Sequence, residues 1–171
     1  MRIEDRHRRL IPCDPAAAGD LIERLSSADD VLWPRDRWPP MRLDRPLGPG
    51  ASGGHSFIRY HVEEHLPGER IVFRFDGPPG LTGIHRFEIT AHPPGTEIEH
   101  AIEGGAAWWF VPAWLAVIRP LHTALIEDAL DRAESFCAGE VANPNRWSAW
   151  VRILLRLMRR RRSQTSGLSS T

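Results

Sequence analysis

The 171-residue chain has no lysine; all 22 of its basic residues are arginine. Alanine, glycine and proline are also frequent. That usage fits a GC-rich coding sequence, so arginine in place of lysine carries little chemical meaning. There are only two cysteines, Cys13 and Cys137, and neither lies in a CxxC pair or at zinc-ligand spacing. They read as free thiols of a cytosolic protein rather than a disulfide. Apolar runs are short. The longest, 106–118, contains Pro112 and falls below the ~18–20 residues that span a bilayer. The opening Met1-Arg2-Ile3-Glu4-Asp5 is charged, with no apolar stretch of the kind a secretory signal needs. HExxH and GxSxG are absent, which removes the familiar metalloprotease and serine-hydrolase readings. The glycine-rich stretch 48–54 lacks the following Lys-Ser/Thr and the helix of a phosphate loop. The expectation is a cytoplasmic protein with no cofactor and no bound metal.

What is present places the chain among ordinary globular proteins. It is 42% hydrophobic and 26% charged, which excludes collagen-like and wholly disordered chains. The net charge of zero is a cancellation. Residues 1–140 hold all 22 acidic residues and fifteen arginines, a charge of −7, and 141–171 hold seven arginines and no acid. An all-over basic nucleic-acid binder is excluded, but an anionic partner for the tail is not.

The pattern along the chain predicts an α+β domain. Residues 2–11 read as a strand ended by Pro12. Asp14-Pro15 reads as an N-cap followed by proline at the first helical position, opening a helix over 16–25. A short helical turn is expected at 28–32, an irregular proline-rich stretch at 33–40, a weak strand at 41–45 and a loop at 46–54. Alternating strands follow at 55–65, 69–76, 81–92 and 96–104, separated by Gly/Pro turns. One face of each is apolar, and the other carries Arg86, Glu88, Glu97, Glu99 and Glu103. A tight turn at 92–95 sets Phe87 opposite His100 and His85 opposite Ile102. From Pro112 the period becomes 3.6, with Ile118, His122, Leu125, Ile126, Ala129, Ala133 and Phe136 on one face. Pro120 predicts a kink or a fresh start, and Gly139 a stop. Glu127, Asp128, Asp131 and Glu134 read as that helix's solvated face.

Residues 1–139 resemble the SRPBCC superfamily (START-like, birch-pollen-allergen-like), in particular bacterial polyketide cyclase/dehydratase-like members. The resemblance rests on the element order and three stretches: Asp14-Pro15, the 67–73 turn into an apolar strand, and 119–134 in the last helix. It implies a helix-grip fold, with a curved antiparallel sheet around a long helix and an apolar cavity between them. Candidate wall residues are Tyr60, Phe73, Phe75, His85, Phe87, His100, Ile118, His122, Leu125 and Ile126. Each also reads as plain core. The implied function is binding of a hydrophobic small molecule such as a lipid or polyketide. One alternative is a cyclase/dehydratase-type enzyme with His85, His100 or His122 as acid or base. A protein-interaction module is the other. His7, His55, His61, His65 and His92 read as surface.

The tail is expected to comprise a linker and basic amphipathic helix over 140–162 and a disordered end at 163–171. Trp147, Trp150, Val151, Leu154, Leu155 and Met158 form one stripe, with Arg152, Arg156, Arg159 and Arg160 opposite. This suits peripheral contact with an anionic membrane through Trp147, Trp150, Arg152, Leu154, Arg156, Arg159 and Arg160. Docking on the chain's own acidic body or a sister subunit, and RNA contact through 159–162, are the competing readings.

Overall fold

A computed structural model describes residues 1–167, with side chains through Met158. The strands are β1 (Arg2–Ile11), β2 (Arg42–Leu43), β3 (Ser52–His55), β4 (Ile58–Leu66), β5 (Arg70–Gly77), β6 (Leu81–His92) and β7 (Gly95–Ala106). The helices are α1 (Pro15–Glu23), α2 (Val111–Ala113), α3 (Arg119–Ala138) and α4 (Ala149–Gly167), with a π-helical turn (Trp114–Ile118) between α2 and α3. All strands join one antiparallel sheet, ordered β1-β7-β6-β5-β4-β3-β2. This is the expected α+β helix-grip architecture. The β6–β7 register is as the turn predicts, Phe87 opposite His100 and His85 opposite Ile102.

Local chemistry explains the elements. Asp14 caps α1, accepting from the Ala17 amide at 2.9 Å, and Pro15 opens it. Glu23 at its end accepts from the Gly68 amide at 3.0 Å and is 2.8 Å from His65, which fastens α1 to the β4–β5 turn. The buried face of α3, including Leu121, Leu125, Ile126, Ala129 and Ala133, packs on Ile11, Tyr60, Phe73, Phe87 and Ile98. A left-handed Gly139 ends α3.

The sequence expectations need correcting at several places. No helix forms at 28–32; those residues make turns and bends, because Asp30 turns its carboxylate onto the Ser26 and Trp33 amides. The strand expected from 55 is two strands. A left-handed Ser56 (φ 51°) turns the chain, so His55 ends β3 and Ile58 begins β4. β3 thus uses the end of the glycine-rich stretch expected to be loop. Phe136 is half exposed.

Asp128 is buried rather than solvated, at 4% exposure. It accepts from the Trp38 indole at 2.8 Å, the Trp147 indole at 3.0 Å and the Asn145 amide at 2.8 Å. Glu127, Asp131 and Glu134 are not free either; Arg9 of β1 bonds all three at 2.6–3.0 Å.

Helix α4 lies against α3, with Val151, Leu154 and Leu155 buried in the main core. Pro120 has no N–H to give the Ala116 carbonyl one turn earlier, and the Trp150 indole donates to that carbonyl at 2.6 Å. The contacts of the helix's described side chains are not ion pairs. Among the described residues, Arg146, Arg152 and Arg156 make no ion pair, and the contacts are apolar or reach Asp128 and Ala116. The helix continues past 162 to Gly167, into the segment expected to be disordered; 168–171 lie outside the described residues. Among those described, no helix is long and apolar enough to cross a membrane.

Candidate functional site

The concave side of the sheet and α3 enclose an apolar cavity of about 70 Å³. Of the expected wall residues, Phe75, His85, His100, Ile118, His122, Leu125 and Ile126 line it. Tyr60, Phe73 and Phe87 lie one layer back as fully buried core. Among the residues sequence reasoning missed are Trp33 and Trp38 from the irregular segment, His55 and Phe57 from the β3–β4 turn, and Met158 of α4. Of the residues expected at a membrane, Leu154 is buried, Trp147 is half buried on the body and Trp150 is half exposed with its indole bonded to Ala116, while Arg152 and Arg156 face outward. The side chains of Arg159 and Arg160 lie outside the described residues. Trp108 and Trp109 are exposed, and Phe110 and Trp114 are buried in a second core cluster with Ile3, Leu81 and Ile102.

The titratable side chains lining the cavity are histidines. His85 stacks on Phe73 (4.8 Å, 14°) and Phe75 (5.0 Å, 27°), with the Tyr60 ring edge-on at 4.7 Å. Its Nδ1 is 3.4 Å from His100 Nε2, at the long end of a hydrogen bond. The outer nitrogens, His85 Nε2 and His100 Nδ1, are buried without a partner. His55 Nδ1 is 3.0 Å from the Tyr60 hydroxyl. Burial holds all of these rings neutral: it pushes His85 and His100 well below the usual imidazole range and His55 down to about 3. It also pushes the Tyr60 hydroxyl above its ordinary value.

His122 joins the cavity to a second polar group. Its ring is 4.9 Å from that of His100, and its Nδ1 is 3.3 Å from Asp5 Oδ2. His7 Nε2 approaches the same oxygen at 3.4 Å, and His7 Nδ1 is 2.8 Å from Glu127. His7 therefore faces inward, contrary to its surface reading. The signal was present: Asp5 and His7 share the strand parity of Ile3 and Ile11, whose side chains are buried. Burial raises the Asp5 carboxyl, but the bonds to His122 and His7 outweigh it and hold it far below the carboxylate range. Burial lowers His122 by more than Asp5 restores. For His7, burial is outweighed by its bonds to Asp5 and Glu127, and the net shift is upward.

No family model and no curated protein matches the chain. Solved structures do. A Thermobifida fusca protein solved by NMR superposes with a TM-score of 0.63 at 13% identity, covering 83% of this chain and 99% of that one. The di-domain ARO/CYC StfQ from the steffimycin biosynthetic pathway gives 0.61 at 12%, covering 81% of this chain and 51% of its own, so this chain spans about half of StfQ. CalU16 from Micromonospora echinospora gives 0.56 at 12%, covering 91% of each chain. At these identities the likeness is one of fold: the chain shares its helix-grip architecture with these proteins.

Proposed function

We propose that the protein binds an apolar small molecule bearing a hydroxyl or enol group, as an SRPBCC-type ligand carrier. The observation that carries this is the orphaned pair of nitrogens on His85 and His100 in an otherwise apolar cavity. Two neutral imidazoles sharing one hydrogen bond have complementary outer atoms. The ring that donates inward keeps an acceptor outside, and the ring that accepts inward keeps an N–H outside. Whichever tautomer holds, the pair offers one donor and one acceptor. A hydroxyl can donate to the outer nitrogen that accepts or accept from the one that donates; an unsatisfied buried group costs about 1–3 kcal/mol, which such a ligand recovers at the nitrogen it meets. Drug-sized pockets run to ~300–1,000 Å³, so a polyketide-sized ligand has to displace rim side chains such as Phe57 and Met158.

Titration of the full-length protein with 2-naphthol and with naphthalene tests this reading. 2-Naphthol is expected to bind at least about tenfold tighter, roughly 1.4 kcal/mol, and His85→Phe to remove the difference. Equal affinities in the unaltered protein would sink the hydroxyl reading, and binding of neither would sink the cavity.

A second reading is favoured by the same pair. Swapping tautomers lets the pair take a proton at one outer nitrogen and give one at the other, as enolisation of a β-diketone, or loss of water from a β-hydroxy ketone, requires. Under it, a bound cyclic β-diketone exchanges its acidic C–H for deuterium faster than in buffer, as followed by NMR. No acceleration would leave binding alone.

A further inference from the structure

The cluster behind the His122 wall does not need the cavity, and its distances are unusual for what they join. Hydrogen bonds from imidazole to carboxylate normally measure about 2.7–2.9 Å, yet His122 and His7 stand 3.3 and 3.4 Å from Asp5 Oδ2. His7 reaches 2.8 Å to Glu127 with its other nitrogen. Separations of this size fit another relation, two donors on one ion. The edge of a tetrahedron with bonds of ~2.0–2.2 Å is about 3.3–3.6 Å.

We propose that Asp5, His7 and His122 form a binding site for a divalent transition-metal ion of the Zn²⁺ class, linking β1 to α3. The three ligand atoms lie within 4.8 Å of one another. Two of the three separations match a tetrahedral edge, and the third, between the His7 and His122 nitrogens, has to close from at most 4.8 Å to about 3.6 Å as the ion binds. The donors are buried or nearly so, at 7%, 9% and 11% side-chain exposure. Two imidazoles and one carboxylate select a borderline metal over Mg²⁺ or Ca²⁺, which take oxygen ligands. Three protein ligands leave a fourth position for water. The surroundings are those of a metal site as well. The second nitrogen of His7 meets the Glu127 carboxylate, which orients the ring and raises its basicity. Glu127 is in turn held by Arg9 at 3.0 Å, and Arg119 lies 3.5 Å from the other oxygen of Asp5. β1 supplies two ligands at i and i+2 on one face and α3 the third, so the ion would act as a clasp between the sheet edge and the long helix.

The test uses chelator-stripped full-length protein titrated with Co²⁺, followed by the visible absorption of a low-coordinate ion, with Zn²⁺ as competitor. One equivalent is expected to bind and to be displaced by Zn²⁺. Asp5→Asn and His122→Gln are expected to weaken binding more than 100-fold. Glu127→Gln, which touches no ion, is expected to weaken it about 10–100-fold and decides the matter if the ligand variants fail to fold. No low-coordinate Co²⁺ band in the unaltered protein would overturn the proposal. So would undiminished binding in Glu127→Gln, or a signal removed by His61→Gln, whose exposed pair with Asp76 is the competing surface site.

Discussion

Acidification from pH 7 to pH 5 is expected to destabilise the protein by several kcal/mol. His55 and His85 are held neutral by burial, with folded-state values below the ordinary imidazole value of 6.5. The sign follows from proton counts. Below pH 6.5 the unfolded chain takes up a proton at each of these positions and the folded chain does not. Their contribution is therefore intact above pH 6.5 and is lost as pH falls below it. At pH 5 His55, with a folded value of about 3, costs about 2 kcal/mol, and His85 adds to the loss in the same direction. His100, lowered for the same reason, acts in the same direction. His7 acts oppositely: its raised value is stabilising below pH 6.5, and that contribution is lost as pH rises through its folded value. Against a typical total of ~5–15 kcal/mol, the balance is a large loss. Thermal melts between pH 7.5 and pH 5 check it. The midpoint should fall steeply below pH 6.5, and His85→Phe should flatten the dependence. A midpoint that stays level to pH 5 would show that these rings are not held neutral.

The second large effect is expected at Asp128. Its carboxylate collects two indoles and an amide, from Trp38, Trp147 and Asn145, and Arg37 stands 3.6 Å away. Asp128→Ala leaves the Trp38 indole buried without its acceptor and loosens the segment that leads into α4. Each orphaned donor costs about 1–3 kcal/mol, so a loss of about 3–5 kcal/mol in denaturant unfolding is expected, as for other broken buried charge networks. Asp128→Asn keeps an acceptor oxygen and should recover part of this. A loss below about 1 kcal/mol for Asp128→Ala would mean that the indoles find water instead. Loss of tertiary contact should register at Trp147, through its fluorescence, before global unfolding.

The strands were legible because they alternate, and the register of His85, Phe87, His100 and Ile102 followed from turn length alone. The histidine-lined cavity was legible for the same reason. What escaped was set by long-range pairing. Asp128 sits at a position whose neighbours in sequence, Glu127 and Asp131, made it look solvated. Its burial depends on Trp38 and Trp147, 90 and 19 residues away, and no local period reports that. His55 was placed on the wrong strand because the left-handed turn at Ser56 has no glycine to announce it. The tail helix showed its apolar stripe plainly. What covers that stripe depended on a carbonyl freed by Pro120, which sequence reasoning used only as a helix breaker.

The placement of β1 has a consequence for solubility. It is the outermost strand of the sheet, ten residues long, and a free edge of that length is a template for adding a strand from another molecule. Its outer side carries Arg2, Glu4, Arg6 and Arg8, while Asp5, His7 and Arg9 point inward, each tied to partners on α3. A foreign strand docking there would have to oppose a charge at nearly every step and to satisfy inward groups that already have partners. The same residues that assemble the polar cluster thus guard the sheet against self-association, and neutralising them would expose the chain to edge-to-edge aggregation.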